Sequence, residues 1–223
     1  TNLGTPWMER EGTSSVWDVK AVIYAAGATP RMVNVPGEKE LTGRGVSYCA
    51  TCDAPFFRDK EVVVIGGGDT ALDEGHYLTR FAAKVTIVHR REQLRAEQIL
   101  QDRAFQNQKI HFELPYLPVE IQGDSKVEGL QIRHRDSGEM KTIPCEGVFV
   151  FVGYDPSTGL LARLADLDDG GYVKTDDNMR TKVPGLFACG DCRSKLLRQA
   201  ITACGEGATA AVAASHYVES LSH

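Results

Sequence analysis

Lys60-Glu-Val-Val-Val-Ile-Gly-Gly-Gly-Asp-Thr-Ala71 decides the fold class of this 223-residue chain. Residues 62–65 form a short β-branched run that reads as a buried parallel strand. They lead into Gly66-x-Gly68-x-x-Ala71, with Gly67, Asp69 and Thr70 filling the turn. Residues 69–80 then place apolar positions at 71, 72, 75 and 78, a helical spacing. Strand, glycine turn and helix in this order make the dinucleotide fingerprint. The first glycine allows the tight turn, and the second lets a pyrophosphate approach the backbone. The third position must be small so that helix and strand can touch. The bland alternative is a tight strand-to-helix turn with no ligand.

The next strand, residues 84–88, ends where NAD-binding domains usually place an acidic residue for the ribose 2′-hydroxyl. Here the chain reads His89-Arg90-Arg91, with Arg95 one helical turn further on. Guanidinium groups offer fixed bidentate donors to phosphate oxygens, so this cluster suits a 2′-phosphate. A solvated basic helix start is the weaker reading, because basic residues in a first turn oppose the helix dipole. The cofactor implied is NADPH rather than NADH. A helix over 92–107 follows, then a strand over 110–113. A meander through 127–135 and 139–143 turns at Asp136-Ser137-Gly138, and a strand over 148–152 closes the unit. One α/β nucleotide-binding domain therefore occupies residues 32–152.

Composition bounds the function. Twenty-five basic and 30 acidic residues give a net charge of −5, which argues against a nucleic-acid binder tracking phosphates. An apolar fraction of 42% and a mean hydropathy of −0.24 describe an ordinary globular protein. Apolar runs such as residues 148–152 are far short of the ~18 residues of a membrane span. No charged-then-apolar leader opens the chain, so a cytoplasmic location is expected.

Six cysteines include two C-x-x-C pairs. Cys49-Ala-Thr-Cys52-Asp53 lies just upstream of the fingerprint strand. Cysteines at this spacing can close a small disulfide ring, and Asp53 is placed for acid/base work on the thiol. Two other readings stay open: a structural zinc site, disfavoured because the second C-x-x-C lies more than a hundred residues downstream, and a buried inert pair. His76, His89, His111 and His134 share no ligand spacing, so no metal site is expected. The second pair, Cys189-Gly-Asp-Cys192, ends a short apolar strand where Asp191 could meet a cofactor hydroxyl. A terminal helix over 203–220 packs through positions 208, 211, 212 and 215.

Taken together, these motifs resemble the low-molecular-weight, bacterial-type thioredoxin reductases. The match runs from Tyr24-Ala-Ala-Gly-Ala-Thr-Pro-Arg31 through Cys49–Asp53, the glycine turn, His89-Arg-Arg91 with Arg95, and residues 185–191 to Arg198-Gln-Ala200. The resemblance implies two Rossmann-like nucleotide-binding domains, an NADPH domain inserted into a split FAD domain. Residues 1–31 and 153–223 would be FAD-domain segments. It implies flavin contacts at Gly27, Gly190, Asp191, Arg198, Gln199 and Ala200. It further implies hydride passing from NADPH to FAD, then electrons passing through a Cys49–Cys52 disulfide to thioredoxin. Cys52 would face the flavin, Cys49 would attack the partner, and Asp53 would serve as acid/base. Family members are usually homodimers. They rotate one domain on hinges that here would fall near residues 28–31 and 153–156.

Two departures from the family pattern are visible. The chain begins with Thr1, and Gly4, Gly12 and Gly27 form no G-x-G-x-x-G ahead of the first segment. The expectation is the later portion of a reductase, binding FAD weakly or not at all by itself. The second departure is Cys189/Cys192, read as small buried side chains, with an accessory redox pair as the alternative. Rival functions are a peroxiredoxin or glutaredoxin-like partner in place of thioredoxin, or a catalytically dead NADP-binding fragment.

Overall fold

The computed structural model describes residues 17–221. The first sixteen residues of the expected 1–31 segment, with Gly4 and Gly12, lie outside the described residues, as do residues 222–223. The described chain divides into two compact units. One spans Thr29–Asp155, and the other comprises the residues up to Ala28 and from Pro156 onward.

β1 (Val22–Tyr24) belongs to the second unit, and β2 (Ala28–Pro30) leads into the first. Inside the first unit come β3 (Val46–Ser47), the single turn α1 (Ala50–Asp53), β4 (Glu61–Ile65), α2 (Asp69–Leu78) and β5 (Lys84–Val88). Next are α3 (Gln98–Phe105), β6 (Ile110–Glu113), β7 (Tyr116–Gln122), β8 (Gly129–His134), β9 (Met140–Pro144) and β10 (Gly147–Val150). β11 (Tyr154–Pro156) leaves this unit, and β12 (Leu186–Ala188) and α4 (Ala200–Ser220) complete the second.

The first unit is built on a five-stranded sheet ordered β3-β10-β4-β5-β6, with every pair parallel. Alternation along β4 explains how the sheet is buried on both sides. Val62 and Val64 join a core with Ala71, Leu72, Val85, Ile87 and Phe149 on the helical face. Val63 and Ile65 join Val88, Val148 and Val150 on the other face, where β8 supplies Leu130 and Ile132. That second face is covered by the antiparallel meander β7-β8-β9. A strand buried on both faces reads as a continuous apolar run, and 62–65 is one.

In the first unit, two elements differ from the sequence expectation. Residues 92–97 are not helical, and α3 begins only at Gln98. Arg95 N–H donates to Gly67 O at 2.6 Å, and Glu97 N–H donates to Asp69 Oδ1 at 2.7 Å. These tertiary bonds pin the segment to the glycine turn and bury Leu94 and Ala96, in place of the local i→i−4 bonds a helix would make. The meander also gains β7, whose register shifts between Pro118 and Glu120. Proline removes a ladder donor and masks the period-2 pattern.

In the second unit, β1 and β12 pair in parallel, and α4 packs on them through Ala210, Ala213 and Ala214, whereas the expected positions 208, 211, 212 and 215 are exposed. α4 starts at Ala200, three residues ahead of the expected 203, because Gln199 and Thr202 form a capping box.

Candidate active site

The carboxyl ends of β4, β5 and β10 open into a cleft of about 780 Å³ in the first unit. Its lining includes Gly66 through Ala71, His89, Arg90, Arg95 and Tyr116. The chain leaves β4 toward β5 on one side, while β10 lies on the other, so the cleft sits where the strand order reverses. That is where open α/β sheets bind ligands.

Each small residue of the turn has a separate reason. A Cβ on Gly66 would lie 2.5 Å from Phe151 O and 2.7 Å from Ala71 Cβ, and its φ is +156°. The first glycine and Ala71 are therefore what lets α2 close on the sheet. A Cβ on Gly67 would lie 2.3 Å from His89 Nδ1, so the imidazole rests against this glycine. A Cβ on Gly68 meets nothing within 4 Å. Gly68 is the N-cap of α2 and borders open cleft, the space a pyrophosphate needs at a helix N-terminus.

All three arginines are exposed, and Arg90 and Arg95 line the cleft whereas Arg91 does not. His89 is buried, its Nε2 has no hydrogen-bond partner, and burial followed by Arg91, Arg90 and Arg95 pulls its pKa down. The positive field of Arg90 and Arg95 at the cleft suits an anion. The residues present thus fit NADPH.

The redox pair lies in the same unit. Cys49 and Cys52 are joined in a disulfide with their Cα atoms 5.4 Å apart. The bond leaves neither sulfur as a free zinc thiolate, and Cys52 is exposed. Cys49 caps α1, its Sγ accepting the Cys52 N–H at 3.2 Å. Asp53 closes that turn. Its carboxylate accepts a hydrogen bond from Ser47 Oγ at 2.6 Å, and the same hydroxyl oxygen accepts the Cys49 N–H at 3.1 Å. Ser47 had no sequence signal, because its partners are two and six residues away on a strand and a turn. Asp53 and Phe56 also line a separate hollow of about 400 Å³ with Arg44, Lys60 and Lys126, and Phe56 is 74% exposed.

In the second unit, Gly190 follows β12 with φ +77°, and its N–H donates to Glu206 Oε2 at 2.8 Å. Glu206 also pairs with Arg193 at 2.9 Å and Lys195 at 3.2 Å. Lys195 Nζ lies 3.1 Å from Asp191 Oδ1 without hydrogen-bond alignment, leaving that oxygen with unused capacity. Arg198 stacks over the Tyr172 ring at 3.9 Å while its buried Nε has no partner. Gln199 caps α4, Ala200 begins it, and Gly27 holds φ +72° beyond β1. Unused donors and acceptors of this kind are what flavin hydroxyls and carbonyls take up, so the residues fit FAD. Cys189 and Cys192 are free and buried, and Cys192 Sγ donates to Cys189 O at 3.2 Å.

Residues 8–207 match the family described as pyridine nucleotide-disulphide oxidoreductase. A thioredoxin reductase of Peptoclostridium litorale is 52% identical over 217 residues, 95% of this chain and 69% of that protein. One from Listeria monocytogenes is 50% identical over 209 residues, covering 93% of this chain and 66% of the relative. The crystal structure of thioredoxin reductase from Streptococcus pyogenes superposes with a TM-score of 0.86 at 51% identity, over 90% of this chain and 66% of that one. The chain thus spans about two thirds of the length of these relatives. On this evidence the chain belongs to the pyridine nucleotide-disulphide oxidoreductases, among the thioredoxin reductases, which use NADPH and FAD.

Proposed function

We propose that this chain carries the NADPH and disulfide half-sites of a reductase that transfers electrons to thioredoxin. The observation that carries the reading is the Cys49–Cys52 disulfide set in the same unit as an arginine-lined nucleotide cleft. In this reading Thr29–Asp155 is the NADPH domain, and the second unit supplies flavin-facing residues. Bound NADPH and FAD supply the electron pair.

The chain's own residues do the rest. Gly68 leaves room for the pyrophosphate at the head of α2, and Arg90 and Arg95 clamp the 2′-phosphate with bidentate donors. Arg91 adds field rather than contact. Asp191, Arg198, Gln199 and Ala200 orient the flavin, whose reduced charge is favoured at the positive end of α4. Once the disulfide is opened, Asp53 moves the proton at the Cys52 and Cys49 sulfurs, and Ser47 fixes the carboxylate for it. Cys49 attacks the partner disulfide. Phe56 and the basic hollow beside Asp53 receive that partner, since an exposed aromatic next to a reactive group is a typical binding anchor. The named relatives favour thioredoxin over a peroxiredoxin or glutaredoxin-like protein as this partner. The protein is cytoplasmic and homodimeric in this reading, and no described helix is long and apolar enough to cross a membrane.

The test is NADPH-dependent reduction of DTNB with thioredoxin and FAD supplied, comparing the wild type with Cys49→Ser. Loss of at least ~99% of thioredoxin-dependent turnover is expected, within the range for an essential nucleophile. Full activity in Cys49→Ser rejects the assignment.

A further inference from the structure

Tyr48 stands between Ser47 and Cys49, where the chain leaves β3 for the redox turn. The peptide that joins it to Cys49 is held at both of its polar atoms. Tyr154 Oη, from β11, donates to Tyr48 O at 2.8 Å, and Ser47 Oγ accepts the Cys49 N–H at 3.1 Å. On the far side of Cys49, its own carbonyl accepts the Asp53 N–H at 3.2 Å.

The Tyr48 side chain is anchored as well. Its hydroxyl donates to Glu38 Oε1 at 3.1 Å. Glu38 is fully buried, and its carboxylate also accepts the N–H groups of Val33 at 3.1 Å and Asn34 at 2.7 Å. A carboxylate out of water requires donors of this kind. Burial, and next the Glu38 charge, push the Tyr48 pKa up to about 12, so the phenol keeps its proton and remains a donor.

A peptide unit is planar, so holding its oxygen and its nitrogen fixes the whole plate and the Cα of Cys49. With the Cys49 carbonyl bound too, the direction of its Cβ is set, and rotation about χ1 is what remains to the sulfur. Resting on the reading of Cys49 as the attacking sulfur, we propose that Tyr154 is a positioning residue. It holds the Tyr48–Cys49 peptide, with Glu38 securing the Tyr48 side chain, and thereby aims Cys49 Sγ at a docked protein disulfide.

The Cys49 thiolate attacks one thioredoxin sulfur, forming a mixed disulfide and expelling the other sulfur as a thiolate. Cys52 then attacks Cys49 Sγ, which re-forms the Cys49–Cys52 bond and frees the second thioredoxin sulfur. Two electrons pass to thioredoxin, and the two thiol protons end on its cysteines. Aim matters here because a docked protein disulfide cannot turn to meet the sulfur, whereas a small free disulfide can.

The experiment takes the dithiol chain in a Cys204→Ser background, reduced with dithiothreitol and desalted, and mixes it with excess oxidised thioredoxin for a single turnover. Tyr154→Phe and Tyr48→Phe each lower the saturating rate about tenfold and leave the half-saturating thioredoxin concentration within about twofold. DTNB, followed at Cys49 after Cys52→Ser is added, reacts within about twofold of the wild-type rate in both. Tyr24→Phe is the control. Its hydroxyl also donates to a backbone carbonyl, that of Ser157, and its removal leaves both rates in place.

A folded Tyr154→Phe with the wild-type saturating rate overturns the proposal. So does an equal slowing with DTNB, or an equal slowing in Tyr24→Phe. Should Tyr154→Phe fail to fold, Tyr48→Phe decides by the same two probes. Failure of the redox reading shows separately, as a wild-type dithiol that leaves thioredoxin oxidised or as thioredoxin reduction retained in Cys49→Ser.

Discussion

Ser47 Oγ donates to Asp53 Oδ2 at 2.6 Å while its oxygen accepts the Cys49 N–H at 3.1 Å. One hydroxyl therefore ties the proposed acid/base to the backbone of the proposed attacking cysteine. Ser47 is 5% exposed and anchored in β3, so the tie is rigid. Ser47→Ala leaves the Asp53 carboxylate free to rotate. It should slow the dithiol-to-thioredoxin step by about tenfold, and Asp53→Asn by about a hundredfold, within the usual range for acid/base catalysis. NADPH affinity should stay within about twofold in both, since neither residue lines the nucleotide cleft. Stopped-flow separation of the two half-reactions checks this, and a Ser47→Ala enzyme with an unaltered thioredoxin step removes the role.

Neighbouring glycines should respond in opposite ways. A Cβ on Gly67 would sit 2.3 Å from the His89 ring, whereas one on Gly68 meets nothing within 4 Å. Gly67→Ala is overpacking and should cost about 1–3 kcal/mol, seen as a melting temperature lower by several degrees. Gly68→Ala should change stability by less than about 0.5 kcal/mol yet weaken NADPH binding at least ~10-fold, because its methyl group fills the pyrophosphate space. Equal NADPH affinity in Gly68→Ala and wild type would show that the cleft holds its ligand elsewhere.

The arginines divide by geometry. Arg90 and Arg95 line the cleft and Arg91 does not. Arg90→Ala with Arg95→Ala should raise the Kd for NADPH roughly 10- to 100-fold and leave that for NADH nearly unchanged, as lost charge-assisted bonds to one phosphate imply. Arg91→Ala should change NADPH binding by about threefold or less. Titration by nucleotide fluorescence is sufficient, and an Arg91→Ala effect as large as the double variant contradicts the structural division.

How much of this was legible beforehand depends on whether the governing contacts are local. The strand over 62–65 and the turn at 66–71 could be read because their apolar run and glycine spacing are themselves the cause of the geometry. β5 at Lys84–Val88 was legible for the same reason. The segment 92–97 was not, because its backbone bonds go to Gly67 and Asp69, more than twenty residues away. Ser47 was missed on the same grounds. Its importance lies in which backbone and carboxylate groups it meets, and no spacing encodes that. The helical face that Arg91 and Arg95 would share is absent, because residues 92–97 are not helical.

Thiol reactivity should separate the cysteines by burial. Cys145, Cys189 and Cys192 are buried and free, and Cys204 is exposed. Burial pushes the Cys145 thiol up to about 12, and it raises Cys189 and Cys192 as well. A raised thiol pKa means little thiolate at pH 7 and slow attack. DTNB on the oxidised native chain should titrate about one thiol quickly, and about four after denaturation. Two further fast thiols lost together in a Cys189→Ser variant would reveal an accessory redox pair instead.

His89 should make stability depend on pH in a direction set by its surroundings. Its pKa is lowered from 6.5 by burial first and by Arg91, Arg90 and Arg95 next. As pH falls below 6.5, the unfolded chain takes up a proton at this residue that the folded chain refuses. The unfolded state then binds more protons, so stability drops with falling pH until the folded residue also protonates. His76 is lowered as well, so its contribution has to be subtracted through a His76→Asn control. In that background, His89→Asn should flatten the fall in melting temperature between about pH 6.5 and 5. Adding NADP⁺ should flatten it too, because a phosphate beside Arg90 and Arg95 cancels part of the field that keeps the ring neutral. A wild-type chain whose melting temperature rises over that acidic range would mean that His89 is charged in the fold, and the cleft would then have to be rebuilt around an imidazolium.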